Sequence, residues 1–285
     1  MQTLELIRET KLHALLPESR ADSRLEASGV IAHDGHFIII FDNLGQVARI
    51  ATSCFPSDGN RWLGEQVAAV GHEDITYSAR HQRFYGLIEA VRVTADTYHS
   101  EVVEYDHCFV PLERHLLPFA FASDNKGFEG LAVIHHADHD YVLALCEGNW
   151  CQGGRAGKQE GHGRIQIFQR VTQGWEHVHT IKLPKAVRFT DYSSLDIRDG
   201  RVAVLSQQSS QLWLGTLDLN NWEFVDAGRV WHLPRGAQGE TTYCHAEGVS
   251  WMASDQLVVV SDKRKRGEPK RCTAKDQSVH LFRIP

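Results

Sequence analysis

Residues 125–149 read NKGFEGLAVIHHADHDYVLALCEGN. A short apolar strand pattern with an acidic residue near its head, Phe128-Glu129-Gly130-Leu131-Ala132-Val133, runs into a His/Asp-rich turn. A second, more continuously apolar pattern over 141–146 then ends on Glu147-Gly148-Asn149. Two such patterns joined by a polar turn make a β-hairpin. A hairpin this short cannot bury its own apolar face, so the chain must supply copies to pack beside it.

The copies are present. The first opens on Glu26-Ala27-Ser28-Gly29-Val30-Ile31, turns at His33-Asp34-Gly35 and returns over 36–41. A second is read as Leu87-Ile88-Glu89-Ala90-Val91-Arg92-Val93, a turn at Thr94-Ala95-Asp96, and 97–105. The opening stretch is the third. The fourth is Tyr192-Ser193-Ser194-Leu195-Asp196-Ile197, an Asp199-Gly200 turn and 202–206; Asp-Gly between two strand patterns is a strong hairpin signal. The fifth is His245-Ala246-Glu247-Gly248-Val249-Ser250-Trp251, a turn at Ser254-Asp255, and 256–261. Further strand patterns bring each copy to as many as four strands in roughly forty to sixty residues, the size and content of a propeller blade. The last copy holds three strands, and residues 3–8 alternate like a strand that could supply the fourth. Such closure leaves no open sheet edge. The expectation is an all-β, five-bladed β-propeller, one domain over 1–285, with its last blade completed by the N-terminal strand. A six-bladed ring would need another hairpin within 53–79, where the sequence reads as a loop and one strand. A sandwich or two smaller sheets is the remaining alternative.

At 42% hydrophobic the chain can fill a core of this size. A net charge of −6 speaks against a nucleic-acid or membrane-surface binder. The longest apolar runs, such as 37–41 and 257–260, are strand-length and far short of a bilayer span. The opening sixteen residues lack the apolar core and cleavage site of a signal peptide, and the six cysteines form no CxxC. These features predict a cytoplasmic protein with reduced cysteines.

In a propeller the first strand of each blade lines the central channel. Aligned on the apolar residue two places further on, the five first strands place Ser28, Glu89, Glu129, Ser193 and Glu247 in equivalent positions. Three carboxylates converging on a narrow channel repel, so either their pKa values rise or a cation sits among them. Hydroxyls and carboxylates form an all-oxygen set. That set suits Ca2+, which takes about six to eight oxygens in flexible geometry, better than strictly octahedral Mg2+. Hydrogen bonding across the channel to water and backbone is the alternative.

The five first strands resemble those of the calcium-activated nucleotidases, the soluble apyrases. That resemblance implies a five-bladed propeller with a central calcium, held by a ring that also runs Ser, Glu, Glu, Ser, Glu. It carries the ligand role onto Ser28, Glu89, Glu129, Ser193 and Glu247. It covers the first and second strands of each blade and not the loops, and it belongs to a secreted or lumenal family. Asn125-Lys126-Gly127-Phe128-Glu129-Gly130-Leu131-Ala132 is also similar to the blade motif of the phytase-like esterase propellers, and His245-Ala246-Glu247-Gly248 is close to it.

Loops expected around the ring begin at Asp42, Tyr105-Asp106, Glu147, Gln207-Gln208 and Asp262, and Glu26, Arg80 to Arg83, Asn125-Lys126, Asp191 and His245 lead into the first strands. From this mouth Arg83, Lys126, Asn149, Gln207, Lys263 and Arg264 are the predicted substrate-binding residues, with basic groups favouring an anion. His245, two residues before Glu247, is the candidate general base. Cys146, Cys151 and His162 match no standard zinc spacing. No GxSxG elbow, P-loop or GxGxxG is present. The expected function is a metal-dependent hydrolase of a small anionic ester, lactone or phosphate. The alternative is a non-enzymatic propeller that binds a ligand or protein around a structural cation. The sequence specifies no protein partner.

Overall fold

The computed structural model describes residues 2–66, 71–123 and 126–285. Asn125, expected at the mouth, lies outside them. The described residues form five antiparallel sheets, the blades of a β-propeller. The first strand, β1 (Glu5–Lys11), belongs to the last blade. Blade one is β2 (Ala27–His33), β3 (His36–Phe41), β4 (Leu44–Ala51) and β5 (Arg61–Leu63). Blade two is β6 (His72–Ser78), β7 (Arg83–Thr94), β8 (Thr97–Tyr105) and β9 (Pro111–Phe121). Blade three is β10 (Phe128–His136), β11 (His139–Cys146), β12 (Arg164–Val171) and β13 (Gly174–Lys182). Blade four is β14 (Ser194–Arg198), β15 (Arg201–Ser206) and β16 (Gln211–Asp218), edged by the short β17 (Glu223–Phe224) and β18 (Arg229–His232). Blade five is β19 (Ala246–Ala253), β20 (Gln256–Ser261) and β21 (Ser278–Arg283), and β1 completes it by pairing with β21. The expected closure by the N-terminal strand is therefore the one that forms.

The continuous apolar runs of the second strands follow from this stacking. Successive strand residues face opposite sides, and a strand inside a blade is buried on both. Phe37, Ile39 and Phe41 of β3 pack against Val258 and Val260 of blade five, while Ile38 and Ile40 pack against Ile75 and Phe84 of blade two. Five apolar clusters arise in this way, one at each junction between neighbouring blades. Tight reversals link first and second strands at the far end from the ring. In blades one, three and four both turn residues have positive φ: Asp34 and Gly35, Ala137 and Asp138, Asp199 and Gly200.

Blade two differs from the sequence reading. Its innermost strand is β6, not the strand carrying Glu89; Glu89 lies on β7, the second strand. The Thr94-Ala95-Asp96 turn is real but joins the second strand to the third. The cysteines also depart from expectation: Cys146–Cys151 and Cys244–Cys272 are disulfides, leaving Cys54 buried and Cys108 exposed as free thiols. No helix among the described residues is long and apolar enough to cross a membrane.

Candidate metal centre

The innermost strands β2, β6, β10, β14 and β19 surround the axis, each in contact with the next. Near its start each carries an irregularity. Pairing with the second strand skips between Ala27 and Gly29, His72 and Ile75, Phe128 and Gly130, and Ala246 and Gly248. In blade four Ser193 donates its N–H to the Leu205 carbonyl (3.0 Å), although Ser194 is the residue paired with Leu205. A β-bulge re-aims the side chain it displaces. The displaced residues are Ser28, Glu73 (with Asp74), Glu129, Ser193 and Glu247, and all five line one cavity of about 240 Å³.

Glu73 was missed by the sequence reading, which placed Glu89 in the ring. The residue order around the axis is nevertheless Ser, Glu, Glu, Ser, Glu. The signal was there, because Glu73-Asp74-Ile75 has the same spacing of oxygen-bearing to apolar residue as the other four strands. It was masked by Asp74 where the other strands have a small residue, and by residues 87–105, whose two strands and turn themselves read as an inner hairpin.

The two hydroxyls of the ring have committed their protons. Ser28 Oγ donates to the His72 carbonyl (2.6 Å) and Ser193 Oγ to the Ala246 carbonyl (3.0 Å). Each bond ties one blade to the next and leaves the oxygen lone pairs for the cavity. Above this ring lies a second tier from the second strands: Asp42, Glu89, Glu147 and Asp262 directly follow the pairing with the first strand, and Gln207 lies two residues past it. Glu89 thus faces the same cavity from one tier higher. One oxygen each of Glu89, Glu129 and Glu147 lies within 4.8 Å of the other two, and His245, Glu247 and Asp262 form a second such group. Glu26 and Asp191 complete a wall with nine carboxylates, against which Lys265 is the one cationic side chain among the described lining residues.

The electrostatic consequence is direct. Burial, then Glu89, Asp42 and Glu247, push Glu73 well above the usual carboxylate range. Burial and then Glu73 and Glu89 do the same to Glu129. Burial, with Asp262 next, raises Glu247 to about 8, and burial raises Asp262 to about 7. These groups are held together without enough positive charge to neutralise them. A hard divalent cation would relieve that strain, and an all-oxygen donor set with free lone pairs fits one.

Below the ring the axis is shut. Asp74 is buried there and accepts from the N–H groups of Ile75 (2.9 Å), Leu131 (3.0 Å) and Leu195 (3.3 Å) and from the Ser194 hydroxyl (3.1 Å). Ser194 Oγ in turn accepts from Val249 N–H (3.1 Å). Gly29 and Gly130 make this crowding possible: a Cβ on Gly29 would lie 2.8 Å from the Asp74 Cα, and one on Gly130 2.7 Å from Leu195 N. The cavity therefore opens on one face only.

The other predicted residues separate. Gln207 lines the cavity and donates to Glu247 and, at 3.1 Å, pairs with His245 Nδ1. His245 is buried behind Glu247, its Nε2 against Glu268. Lys126 is ion-paired with Glu147. Lys263 Nζ donates to the Ser23 carbonyl (3.4 Å) and Arg264 to the Glu268 carbonyl (2.7 Å), so both serve their own loop. Asn149 is fully buried. Its amide nitrogen donates to the carbonyls of Gly157 (2.9 Å) and Phe189 (3.0 Å), and its oxygen accepts from His162 N–H and Tyr192 O–H (2.9 Å each). With every donor and acceptor used, Asn149 holds the loop and cannot serve a substrate. Arg83 lies at the opposite end of the blade, in a separate pocket with His81 and Asp140. Tyr105, paired with Phe84, and the adjoining Asp106 sit at that far end as well. The shifted register of blade two explains both displacements. Cys146 and Cys151 bond to each other, which removes them as zinc ligands.

No protein-family model matches the chain, and no curated protein does. Among solved structures it is similar to a glutaminyl cyclase from Myxococcus xanthus, at 12% identity over 99% of this chain and 96% of that one, with a TM-score of 0.55. It is also similar to the PQQ-bound aldose sugar dehydrogenase from Streptomyces coelicolor, at 10% identity over 99% and 98%, with a TM-score of 0.54. The likeness is one of fold alone.

Proposed function

We propose that this propeller is a calcium-dependent hydrolase of a small anionic ester or phosphate, with the ring Ser28, Glu73, Glu129, Ser193 and Glu247 as the cation's seat. The observation that carries the reading is the ring itself. It has five oxygen-bearing side chains, one from each blade, with the serine protons turned away into neighbouring carbonyls and the carboxylates destabilised by burial and then by one another. The order of residues supports the resemblance to the soluble apyrases, with Glu73 in place of Glu89, and makes phosphate esters the first substrates to try. Magnesium, needing a strict octahedron, suits a ring of five residues with a second tier of carboxylates less well.

A bound calcium would supply Lewis acidity toward a phosphoryl or carbonyl oxygen. The chain's own residues do the rest. The bulges aim the ring side chains at the axis, and Asp74 with the glycines below them closes the floor against water from beneath. Asp262, facing the cavity beside Glu247, is the carboxylate placed to accept a proton there. His245, with both ring nitrogens engaged by Gln207 and Glu268, positions Gln207 against Glu247 and is replaced by Asp262 in the role of base. Disulfides persist in oxidising compartments, so Cys146–Cys151 and Cys244–Cys272 favour such a setting over the cytoplasm.

A structural cation in a binding propeller is the second reading. It is favoured by the use of the axis as a stitch between blades, through Ser28, Ser193 and Asp74. The two are separated by stripping the protein with EDTA, titrating Ca2+ and then Mg2+ in a thermal melt, and assaying phosphomonoesters, nucleotides and lactones. A ligand that binds only the folded state must raise the melting temperature. A calcium-specific rise abolished in Glu129→Gln, together with turnover lost in the same variant, supports the hydrolase. A rise without turnover of any of these substrates favours the binder, and no rise sinks the cation.

A further inference from the structure

A cavity walled by nine carboxylates is a poor host for an anion. A bound cation offsets part of that charge; the remainder of the recognition must come from a positive group on the wall. The basic residues around the mouth are mostly spent. Lys126 is paired with Glu147, Arg24 with Glu26 at 2.5 Å, Lys263 is bonded to Ser23, and Arg264 to the Glu268 carbonyl. Lys265 is different. It is on the cavity wall, and among the described residues its ammonium makes no hydrogen bond or ion pair.

Its loop is built to keep it there. The Cys244–Cys272 disulfide ties the loop to the start of the innermost strand of blade five. Glu268 accepts the Lys265 backbone N–H (2.8 Å) and holds His245 with the same carboxylate. Arg264 N–H donates to Asp276 (3.1 Å), and Arg271 Nε donates to the Thr241 carbonyl (3.0 Å). The charge of Lys265 also reaches the cavity, where it opposes the burial that raises Asp42, Glu247 and Asp262.

We propose that Lys265 is the specificity residue of this site. It would reach over the ring to bind the anionic terminus of the substrate, a phosphate or carboxylate small enough for a cavity of about 240 Å³, while the disulfide-anchored loop holds it in place. The proposal rests on the calcium reading above. Affinity for an anion then requires cation and lysine together: the cation because the wall repels anions without it, the lysine because among the described residues it is the cationic side chain lining the cavity.

The test uses the full chain and inorganic phosphate as probe, read by calorimetry at fixed ionic strength with and without calcium. Wild-type protein should bind phosphate only when loaded with calcium. Lys265→Ala should weaken phosphate binding about 10- to 100-fold, the loss of one charge-assisted hydrogen bond, while binding calcium at least as well as wild type. Lys265→Arg should recover most of the affinity, and Lys263→Ala should bind phosphate like wild type. Because Lys265 is exposed on its loop, the thermal melts of these variants should match. Phosphate bound equally by Lys265→Ala, or a loss seen in Lys126→Ala and not in Lys265→Ala, overturns the assignment of Lys265 alone. A wild-type protein that binds no calcium overturns both readings.

Discussion

At the scale of single residues the axis is governed by what cannot be accommodated. Gly130 is in backbone contact with Leu195, so Gly130→Ala must push two blades apart where Asp74 stitches them. Overpacking of this kind costs about 1–3 kcal/mol, and a drop of that size in urea-unfolding free energy is the expected outcome; an unchanged midpoint would contradict the tight axis. Glu247 makes a second prediction. Its folded-state value of about 8 lies above the ordinary 4.5, so between those values the folded protein binds more protons than the unfolded one. Stability of calcium-free protein therefore falls as pH rises from about 4.5 to about 8. Calcium should cancel the fall and release protons as it binds, measurable by titration in buffers of different ionisation enthalpy. Four of the five ring residues were legible in the sequence because Ser28, Glu129, Ser193 and Glu247 each stand before a small residue and an apolar one. Glu73 was not, because Asp74 broke the pattern for a reason visible only in three dimensions: it is the bolt across the axis.

At the scale of elements, the second strands were the easiest to read, since burial on both faces leaves a run such as Phe37-Ile38-Ile39-Ile40-Phe41 with no polar interruption. Blade two was the hardest. Its first strand is joined to its second through Arg80-His81-Gln82, where Gln82 takes a positive φ of 52° instead of a glycine. Its second strand runs on beyond Glu89 to Thr94, carrying its next turn out of step with the other blades. Loop residues such as Asn149 and Lys263 looked available because sequence shows polarity and not partners. The closing strand carries its own polar clasp. Glu9 accepts from His280 Nδ1 and Lys275 (2.9 Å each), and His280 Nε2 accepts from the Ser261 hydroxyl (2.9 Å). Burial would raise Glu9, but His280 and Lys275 outweigh it and hold it at about 2. A depressed carboxylate stabilises above its unfolded value and loses that contribution as pH falls toward the folded one. Glu9→Gln should therefore cost about 1–3 kcal/mol at pH 7, with a deficit that shrinks toward pH 2. Equal denaturation midpoints at pH 7 would remove the clasp from the account.

At the scale of the whole molecule, five hairpin copies and a spare N-terminal strand were enough to specify the number of blades and their closure, because a blade has nowhere to put its apolar faces except against another blade. What the site binds was not legible in the same way. It depends on which charges survive unpaired at the mouth, and that is set by loop contacts such as Lys126 with Glu147 and Glu268 with Lys265, which no repeat encodes.

The pairing of β1 with β21 has a further consequence for how the molecule comes into being. Among the described residues β1 finds its sheet partner in β21, with Glu5 opposite Arg283. Until β21 has been made, β1 has an unmatched edge, blade five lacks its outer strands and the circle of blades is open. Contacts so distant in sequence form slowly, so closure of the circle by β1 and β21 is expected late in the folding of the chain.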